Sequence, residues 1–378
     1  MFIVQGEGRG HMTQALALEQ ILLKAGHQVN DIIIGTSNRR EIPAFFSQKT
    51  KAMLQPLESP NFYYDRKSKS VNIWKTILFN ILRIPVYFKE LLKINRLKQA
   101  AQPDVIINFY DVLGGFYFLF FRPQTRRICI AHQYMAEHSS FPFAKGLKSQ
   151  KAAFRINNAF TSFACHKKLA LSFRNLPRHN SKLSIVPPLL RSEILSLAPT
   201  QGDHILAYVV NKGYGEEIIQ WHNRNRKIKL HCFWDNKEYP DSWSPNKNLT
   251  FHHINDQKFL ELMSTCIGYA TTAGFESICE AIYLGKPVLM VPVKGQYEQA
   301  CNAQDAILAN AGISARKFNI GLLLNYITKK QQKNADFTIW ISGYEQTFLK
   351  EIEQMPAPKE SIWNKARVLF AQPLLSNK

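Results

Sequence analysis

The sequence predicts an α/β protein of two similar halves, each a parallel sheet covered by helices on both faces. Three observations carry this. Short apolar runs alternate with amphipathic helical stretches along most of the 378 residues. The alternation starts with "FIVQ" followed by a Gly-rich turn, and starts again with "HILAYVV" (His204–Val210) followed by the Gly-containing "NKGYG". Between the two, "IVPPLLRSE" (Ile185–Glu193) places adjacent prolines where neither a helix nor a central strand can continue.

In the first half, "MTQALALEQILLKAG" reads as a helix with Ala15, Leu18 and Leu22 on one face and Gly26 as its stop. "VNDIIIG", "PDVIINFYD" (Pro103–Asp111) and "RRICIAHQY" read as strands. In the second half, "EEIIQWHNR" reads as a helix and "IKLHCFW" and "LTFHHI" as strands. "DQKFLELMST" is a helix with Asp256 at its N-cap, and "CIGYA" is a strand. "TFLKEIEQM" is a helix near the C-terminus. The expected division is 1–188, 189–350 and a C-terminal segment 351–378.

Composition excludes several classes. No apolar run reaches the roughly 18 residues of a spanning helix. "MFIVQGEGRGH" lacks the basic leader of a signal peptide and reads as the first strand, which places the protein in the cytosol. The six cysteines show no CxxC or CxH spacing, so reduced core thiols are expected rather than zinc or a disulfide framework. No zinc-finger, helix-turn-helix or RNP-like pattern accompanies the positive charge, so nucleic acid is not expected as a partner.

The charge itself is uneven. Of a net +20, residues 1–190 hold 27 Lys+Arg against 10 Asp+Glu, a balance of +17. That field favours an anionic partner. It coincides with Phe62–Ala101, where aromatics, Leu/Ile and Lys/Arg mix and Pro85 interrupts. The segment reads either as a basic amphipathic stretch lying on an anionic membrane or as core-packed helices with a solvated basic face. "GGFYFLFFRP" (Gly114–Pro123) is a buried helix or a surface for an apolar tail.

The densest chemistry lies in "TTAGFESICEAIYLGKPVLMVPVKGQYEQACNA", Thr271–Ala303. Phe275, Ile278 and Ile282 define a helix from about Gly274 to Leu284, with Gly285 as its left-handed exit and Pro287 as a stop. At its start, small Thr271, Thr272, Ala273 and Gly274 present free N–H groups and hydroxyls at the positive end of the helix dipole, an anion site suited to a diphosphate without a metal. Glu280 could accept from vicinal ribose hydroxyls. After the strand "VLMV", Glu298, Gln299 and Asn302 offer acceptors and donors at neighbouring positions, as a sugar requires. In order, phosphate, ribose and sugar contacts match a nucleotide-sugar.

This stretch resembles the donor signature of nucleotide-sugar glycosyltransferases with the GT-B fold, of the form H-C-G-W-N-S-x-x-E, G-x-P, D-Q-x-x-N-A. Gly274, Ser277, Glu280, Gly285, Pro287, Gln299, Asn302 and Ala303 match, and Glu298 stands where Asp is usual. Thr272, Phe275 and Glu276 depart from it. "GEGRGH" resembles the Gly-rich turn of the lipid-acceptor branch, that of the peptidoglycan-precursor N-acetylglucosaminyltransferase and the monogalactosyldiacylglycerol synthases.

The resemblance implies two Rossmann-like domains facing across a cleft, with the C-terminal segment packing back on the first. The implied reaction is metal-independent and inverting, moving a sugar from a nucleotide-sugar, with UDP the implied carrier, to a hydroxyl acceptor that could be lipid-linked or belong to the cell envelope. It makes His11 the base, against the alternative of a helix-capping histidine. It sets Gly8, Arg9 and Gly10 beside acceptor and diphosphate, the Gly213–Gly215 turn on the far side of the diphosphate, and the backbone near Ile254 at the nucleobase. Asp111 is a candidate orienter of His11 or the N-cap of the next helix. Arg9 and Arg191 are candidate cations for the leaving group, and His132 and His138 lie in the acceptor half. The absence of any D-x-D agrees with a site that needs no metal or other cofactor. An epimerase or hydrolase of the same fold, or a non-catalytic nucleotide-sugar-binding subunit, remains an alternative.

Overall fold

The computed structural model describes residues 1–36, 42–60, 73–146, 148–178, 180–210, 212–329 and 335–357. Among these, the first half forms strands β1 (Phe2–Gln5), β2 (Asp31–Thr36), β3 (Met53–Glu58), β4 (Val105–Phe109), β5 (Arg126–Ala131), β6 (Lys167–Leu171) and β7 (Leu183–Val186). They make one seven-stranded sheet in the order β3-β2-β1-β4-β5-β6-β7, every pairing parallel. The second half forms β8 (His204–Val209), β9 (Lys229–Trp234), β10 (Ser242–Asn246), β11 (Leu249–His252), β12 (Gly268–Thr271), β13 (Val288–Met290) and β14 (Gly312–Ser314). Their order is β10-β11-β9-β8-β12-β13-β14, parallel except for the edge strand β10.

Both sheets are therefore doubly wound, as the unbroken apolar stretches within "DIIIGT" and "HILAYV" require of strands buried on both faces. In each, the order reverses beside the first strand, between β1 and β4 and between β8 and β12. Ligands of such sheets bind outside the carboxyl ends of the strands at that reversal.

Three element boundaries differ from the sequence reading. The first helix runs Arg9–Lys24, so Gly10 and His11 sit inside its first turn and Gly8, at φ −120°, is the N-cap. The glycines of "NKGYG" are in the first turn of a helix, Lys212–Asn223, rather than in a loop. A Cβ on Gly215 would come 2.7 Å from the Trp234 ring, so helix–strand packing demands that glycine. The helix Asp256–Thr265 is capped by Asn255, whose side chain accepts from the Lys258 N–H at 2.9 Å, while Asp256 is its first-turn acid. Gly285, at φ +70°, does end the helix Phe275–Tyr283 in the left-handed conformation.

Of the segment Phe62–Ala101, residues 62–72 lie outside the described residues. The rest forms two helices, Ile73–Leu82 and Ile84–Ala101, with Pro85 opening the second. Tyr87, Leu91 and Ile94 are buried, so one face of the second helix joins the core. Leu78, Ile81, Leu82, Ile84 and Phe88 are exposed, Leu82 by 73%. The helix Val112–Phe121 is largely buried, with Phe120 exposed. No helix among the described residues is long and apolar enough to cross a membrane.

The chain crosses between the domains after Val186 and returns. Helix Ala335–Ile341 packs on helix Phe275–Tyr283 of the second domain, while its Trp340 indole donates to the Ser172 carbonyl of the first at 2.9 Å. Helix Tyr344–Glu353 lies against the first helix and β7, with Lys24 on Glu345 at 2.9 Å and His27 on Glu353 at 2.8 Å. The return thus begins before residue 351. Residues 358–378 lie outside the described residues.

Candidate active site in the cleft

His11 is 8% exposed and enclosed on three sides. Its ring stacks on Tyr110 with centroids 5.4 Å apart and planes at 24°. Its Nδ1 lies 3.2 Å from Gln14 Oε1, one helical turn on, and its Nε2 is 3.5 Å from Gln133 Nε2. Burial pulls the imidazole down to about 4, so it is neutral around pH 7 and can take a proton.

Asp111 is not its orienter. Tyr110, at φ +61°, turns the chain off β4 and delivers its own ring to His11. Asp111 Oδ1 instead accepts from the Gly114 N–H at 3.2 Å and caps the helix Val112–Phe121. Its other oxygen faces Gly35 so closely that a Cβ there would come within 2.0 Å. Burial raises this carboxyl to about 6.

Both glutamines that hold His11 reach across the cleft. Gln14 Nε2 donates to Glu276 Oε1, and Gln133 Nε2 donates to Glu298 Oε1 at 2.8 Å. Gly10 makes room for the first contact: a Cβ there would stand 3.2 Å from Glu276 Cγ. Burial pushes Glu276 up to about 8 and Glu298 up to about 7. A carboxyl facing the cleft at position 276 would repel a diphosphate if ionised; held protonated near neutrality, it does not.

On the other wall, β12 ends at Thr271 and the chain passes through buried Thr272 and Ala273 to Gly274, the N-cap of the helix Phe275–Tyr283. Gly274 leaves the helix start open: the nearest atom to a Cβ there is the Thr272 carbonyl oxygen at 3.6 Å. Ser277 is half-buried on the same helix. Asn302 ties this turn to the helix Tyr297–Leu308 by donating to the Ala273 carbonyl at 3.2 Å. Gln299 Oε1 accepts from the Val293 N–H at 2.9 Å and holds the loop after β13. Phe275 stacks on His132 across the cleft at 4.0 Å. His132 Nδ1 donates to the Leu171 carbonyl at 2.7 Å, which leaves a lone pair on Nε2.

Several expected ligand contacts are occupied by protein. Both Glu280 oxygens are taken by Arg191, Nε–Oε1 at 2.7 Å and Nη2–Oε2 at 2.8 Å. Glu280 is therefore not an open acceptor for ribose, and Arg191 is not a free cation for a leaving group. Arg9 lies over the Phe45 ring at 4.4 Å and pairs with Asp256 at 3.0 Å. Gly213 is on a helix start, and Ile254 is half-buried in the loop between β11 and the helix Asp256–Thr265. His138 is buried, with Nε2 3.1 Å from the Pro177 carbonyl oxygen.

Several buried polar side-chain atoms without a hydrogen-bond partner lie at this junction, Thr271 Oγ1, Thr272 Oγ1, His132 Nε2, Gln133 Oε1 and Asp305 Oδ2, among others spread over both domains. Such groups are rare because each costs about 1–3 kcal/mol. Among the described residues no three His, Cys, Asp or Glu side chains are grouped as metal ligands.

Gln14 and Gln133 were not singled out in the sequence. Gln14 becomes visible only once the helix is known to begin at Arg9, because His11 and Gln14 are then one turn apart on one face. Gln133 follows His132 in a 3-10 turn, His132–Glu137, that local pattern did not mark.

The sequence from residue 1 to 327 matches the family model described as glycosyl transferase family 1. Curated proteins give no significant match. Among solved structures, the glycotransferase of kitacinnamycin superposes with a TM-score of 0.62 at 14% identity, covering 94% of this chain and 98% of that one. MurG of Acinetobacter baumannii gives 0.57 at 14% identity, covering 94% and 99%. The spinosyn rhamnosyltransferase SpnG, complexed with thymidine diphosphate, gives 0.51 at 14% identity, covering 98% and 99%. At such identities these likenesses speak for the two-domain GT-B fold; the family match spans most of the chain, and the protein belongs to glycosyl transferase family 1 and is a glycosyltransferase.

Proposed function

We propose that the protein transfers a sugar from a nucleoside diphosphate-sugar to a hydroxyl acceptor with inversion, His11 acting as the base. The observation that carries this reading is the placement of neutral, buried His11 opposite the start of the helix Phe275–Tyr283, where Thr272 Oγ1 and His132 Nε2 are buried without a hydrogen-bond partner. A diphosphate at that helix start is stabilised by backbone N–H groups and the helix dipole, so the leaving group needs no metal. The anomeric carbon then faces His11 across the cleft. His11 Nε2 takes the acceptor proton as the acceptor oxygen attacks from the side opposite the leaving diphosphate, which inverts the configuration. In this reading the sugar takes over the polar groups of Glu298 and Asn302, which here meet Gln133 and the Ala273 carbonyl. Binding of thymidine diphosphate by SpnG supports a nucleoside diphosphate donor for this chain, with UDP and TDP as the first carriers to test.

The acceptor we propose is lipid-linked, presented at the cytosolic face of an anionic membrane. The support is the exposed apolar row Leu78, Ile81, Leu82, Ile84 and Phe88 on a half of the chain with a balance of +17, flanked by exposed Lys89 and Arg96.

The test is a panel of UDP-, TDP- and GDP-sugars scored by thermal stabilisation, because a bound ligand raises apparent stability by mass action. His11→Ala should keep the stabilisation and lose transfer. No stabilisation by any member, or loss of donor binding in His11→Ala, overturns the assignment. Incubation with donor alone separates transfer from epimerisation, which requires no second substrate.

A further inference from the structure

We propose that Gln14 is the positioning residue of His11, and that Glu276 of the opposite domain fixes the Gln14 amide, so that the base adopts its working tautomer only when the domains are closed. This rests on reading His11 as the base. It departs from the usual arrangement in which a carboxylate orients the imidazole.

The two ends of an amide differ chemically. Its oxygen only accepts and its nitrogen only donates. Gln14 Oε1 lies 3.2 Å from His11 Nδ1, so Nδ1 carries the ring proton and Nε2 keeps its lone pair. That lone pair points toward the Gln133 amide nitrogen at 3.5 Å, a donor, so both contacts demand the same tautomer.

What decides which end of Gln14 meets the ring is its other partner. Oε1 of Glu276, the carbonyl oxygen of a carboxyl that burial keeps protonated near neutrality, accepts from Gln14 Nε2. Without Glu276, the amide can turn over and offer its NH₂ to Nδ1. The ring proton then moves to Nε2, and the nitrogen that should accept a proton already has one. Because Glu276 sits on the C-terminal domain and Gln14 on the N-terminal domain, separating them releases the amide. The other groups around His11 do not replace it: the Gln133 amide, 3.5 Å away and bonded to Glu298, is too distant to fix the tautomer alone, Tyr110 stacks on the ring face, and Asp111 turns Oδ1 to the Gly114 N–H and Oδ2 to Gly35. Glu276 also stands where the family signature has Asn, so the device belongs to this chain's own residues.

The test is long-range ¹H–¹⁵N correlation of the full-length protein labelled with ¹⁵N-histidine, with His11 identified by its loss in His11→Asn. We expect a protonated Nδ1 and an unprotonated Nε2 in the parent protein, and a mixture of the two tautomers in Gln14→Leu and in Glu276→Ala. The exchanged pair Gln14→Glu with Glu276→Gln should restore the single tautomer, because the new carboxylate accepts from Nδ1–H and the new amide donates to it. Release of UDP from UDP-glucose and UDP-N-acetylglucosamine should fall about 10- to 100-fold in kcat for Gln14→Leu, part of the roughly 10²–10⁴ a general base contributes, with KM for the donor little changed. A single Nδ1–H tautomer persisting in Gln14→Leu overturns the positioning role, and one persisting in Glu276→Ala overturns the coupling across the cleft. Turnover surviving His11→Ala instead removes the base assignment, while the spectra still judge Gln14.

Discussion

Arg191 and Glu280 form a two-pronged ion pair, Nε–Oε1 at 2.7 Å and Nη2–Oε2 at 2.8 Å, that pins the segment after the first sheet to the helix Phe275–Tyr283 of the second domain. The side chains are 13% and 3% exposed. Removing one partner of so buried a pair strands the other charge, so Glu280→Ala should lower the unfolding free energy by about 3–5 kcal/mol. Denaturant unfolding at pH 7 measures it. A loss below about 1 kcal/mol would assign Glu280 to ligand rather than to the hinge between domains.

Donor binding should weaken as pH rises through about 8. Glu276 is protonated below that value because burial opposes its charge, and ionises above it, facing the position proposed for the diphosphate. The affinity for UDP should fall, at its steepest, about tenfold per pH unit. Calorimetric titration between pH 6.5 and 9.5 reads the effect, and Glu276→Gln should flatten the curve. A parent profile as flat as that of the variant places the diphosphate elsewhere.

Closure of the cleft should itself depend on pH. Glu276 and Glu298 are raised from 4.5 to about 8 and about 7 where Gln14 and Gln133 meet them, and return toward their ordinary values when opened to water. Between pH 4.5 and 8 the closed form holds protons that the open form lacks, so its advantage is largest at low pH and declines as pH rises through 7 and 8. Nearby His11 titrates at about 4, below this window, and Arg191 stays charged throughout it. Small-angle scattering should show a larger radius of gyration at pH 9 than at pH 5.5 for the parent protein, and no such change for Glu276→Gln with Glu298→Gln.

Membrane binding should require both the apolar row and the charge. Leu82→Asp with Ile84→Asp and Phe88→Asp changes exposed positions and leaves buried Tyr87, Leu91 and Ile94 untouched. Flotation with vesicles containing phosphatidylglycerol should retain the parent protein at low salt and release the triple variant, with little change in Tm. Equal flotation of both on neutral vesicles would remove the proposed anionic surface.

The legible part of this protein was what short-range pattern encodes. Runs such as "DIIIGT" and "HILAYV" announce strands buried on both faces, Gly285 marks a helix exit, and Thr271–Asn302 sets a small-residue helix start ahead of a polar cluster at fixed spacing. These follow from backbone sterics and periodicity, which act between residues close in the chain. Strands β3, β6, β7, β10 and β14 were not foreseen: runs of three to five residues carry too little pattern to separate strand from loop, and Pro56 and Pro245 break the pattern in β3 and β10.

What the sequence could not decide was which polar side chains meet. Asp111 could orient His11 or cap the next helix, and the structure chose the cap: Tyr110, in the left-handed conformation, stacks on His11, and Asp111 accepts from Gly114. Glu280 looked open, but Arg191, 89 residues away, closes on it. Gln14 and Glu276 stand 262 positions apart in the chain, and no local rule joins them. The order of residues determined two doubly wound sheets and the place of their ligand face; only the docking of one domain on the other, which buries charged and polar groups together and makes each seek a partner, decided which residues surround His11.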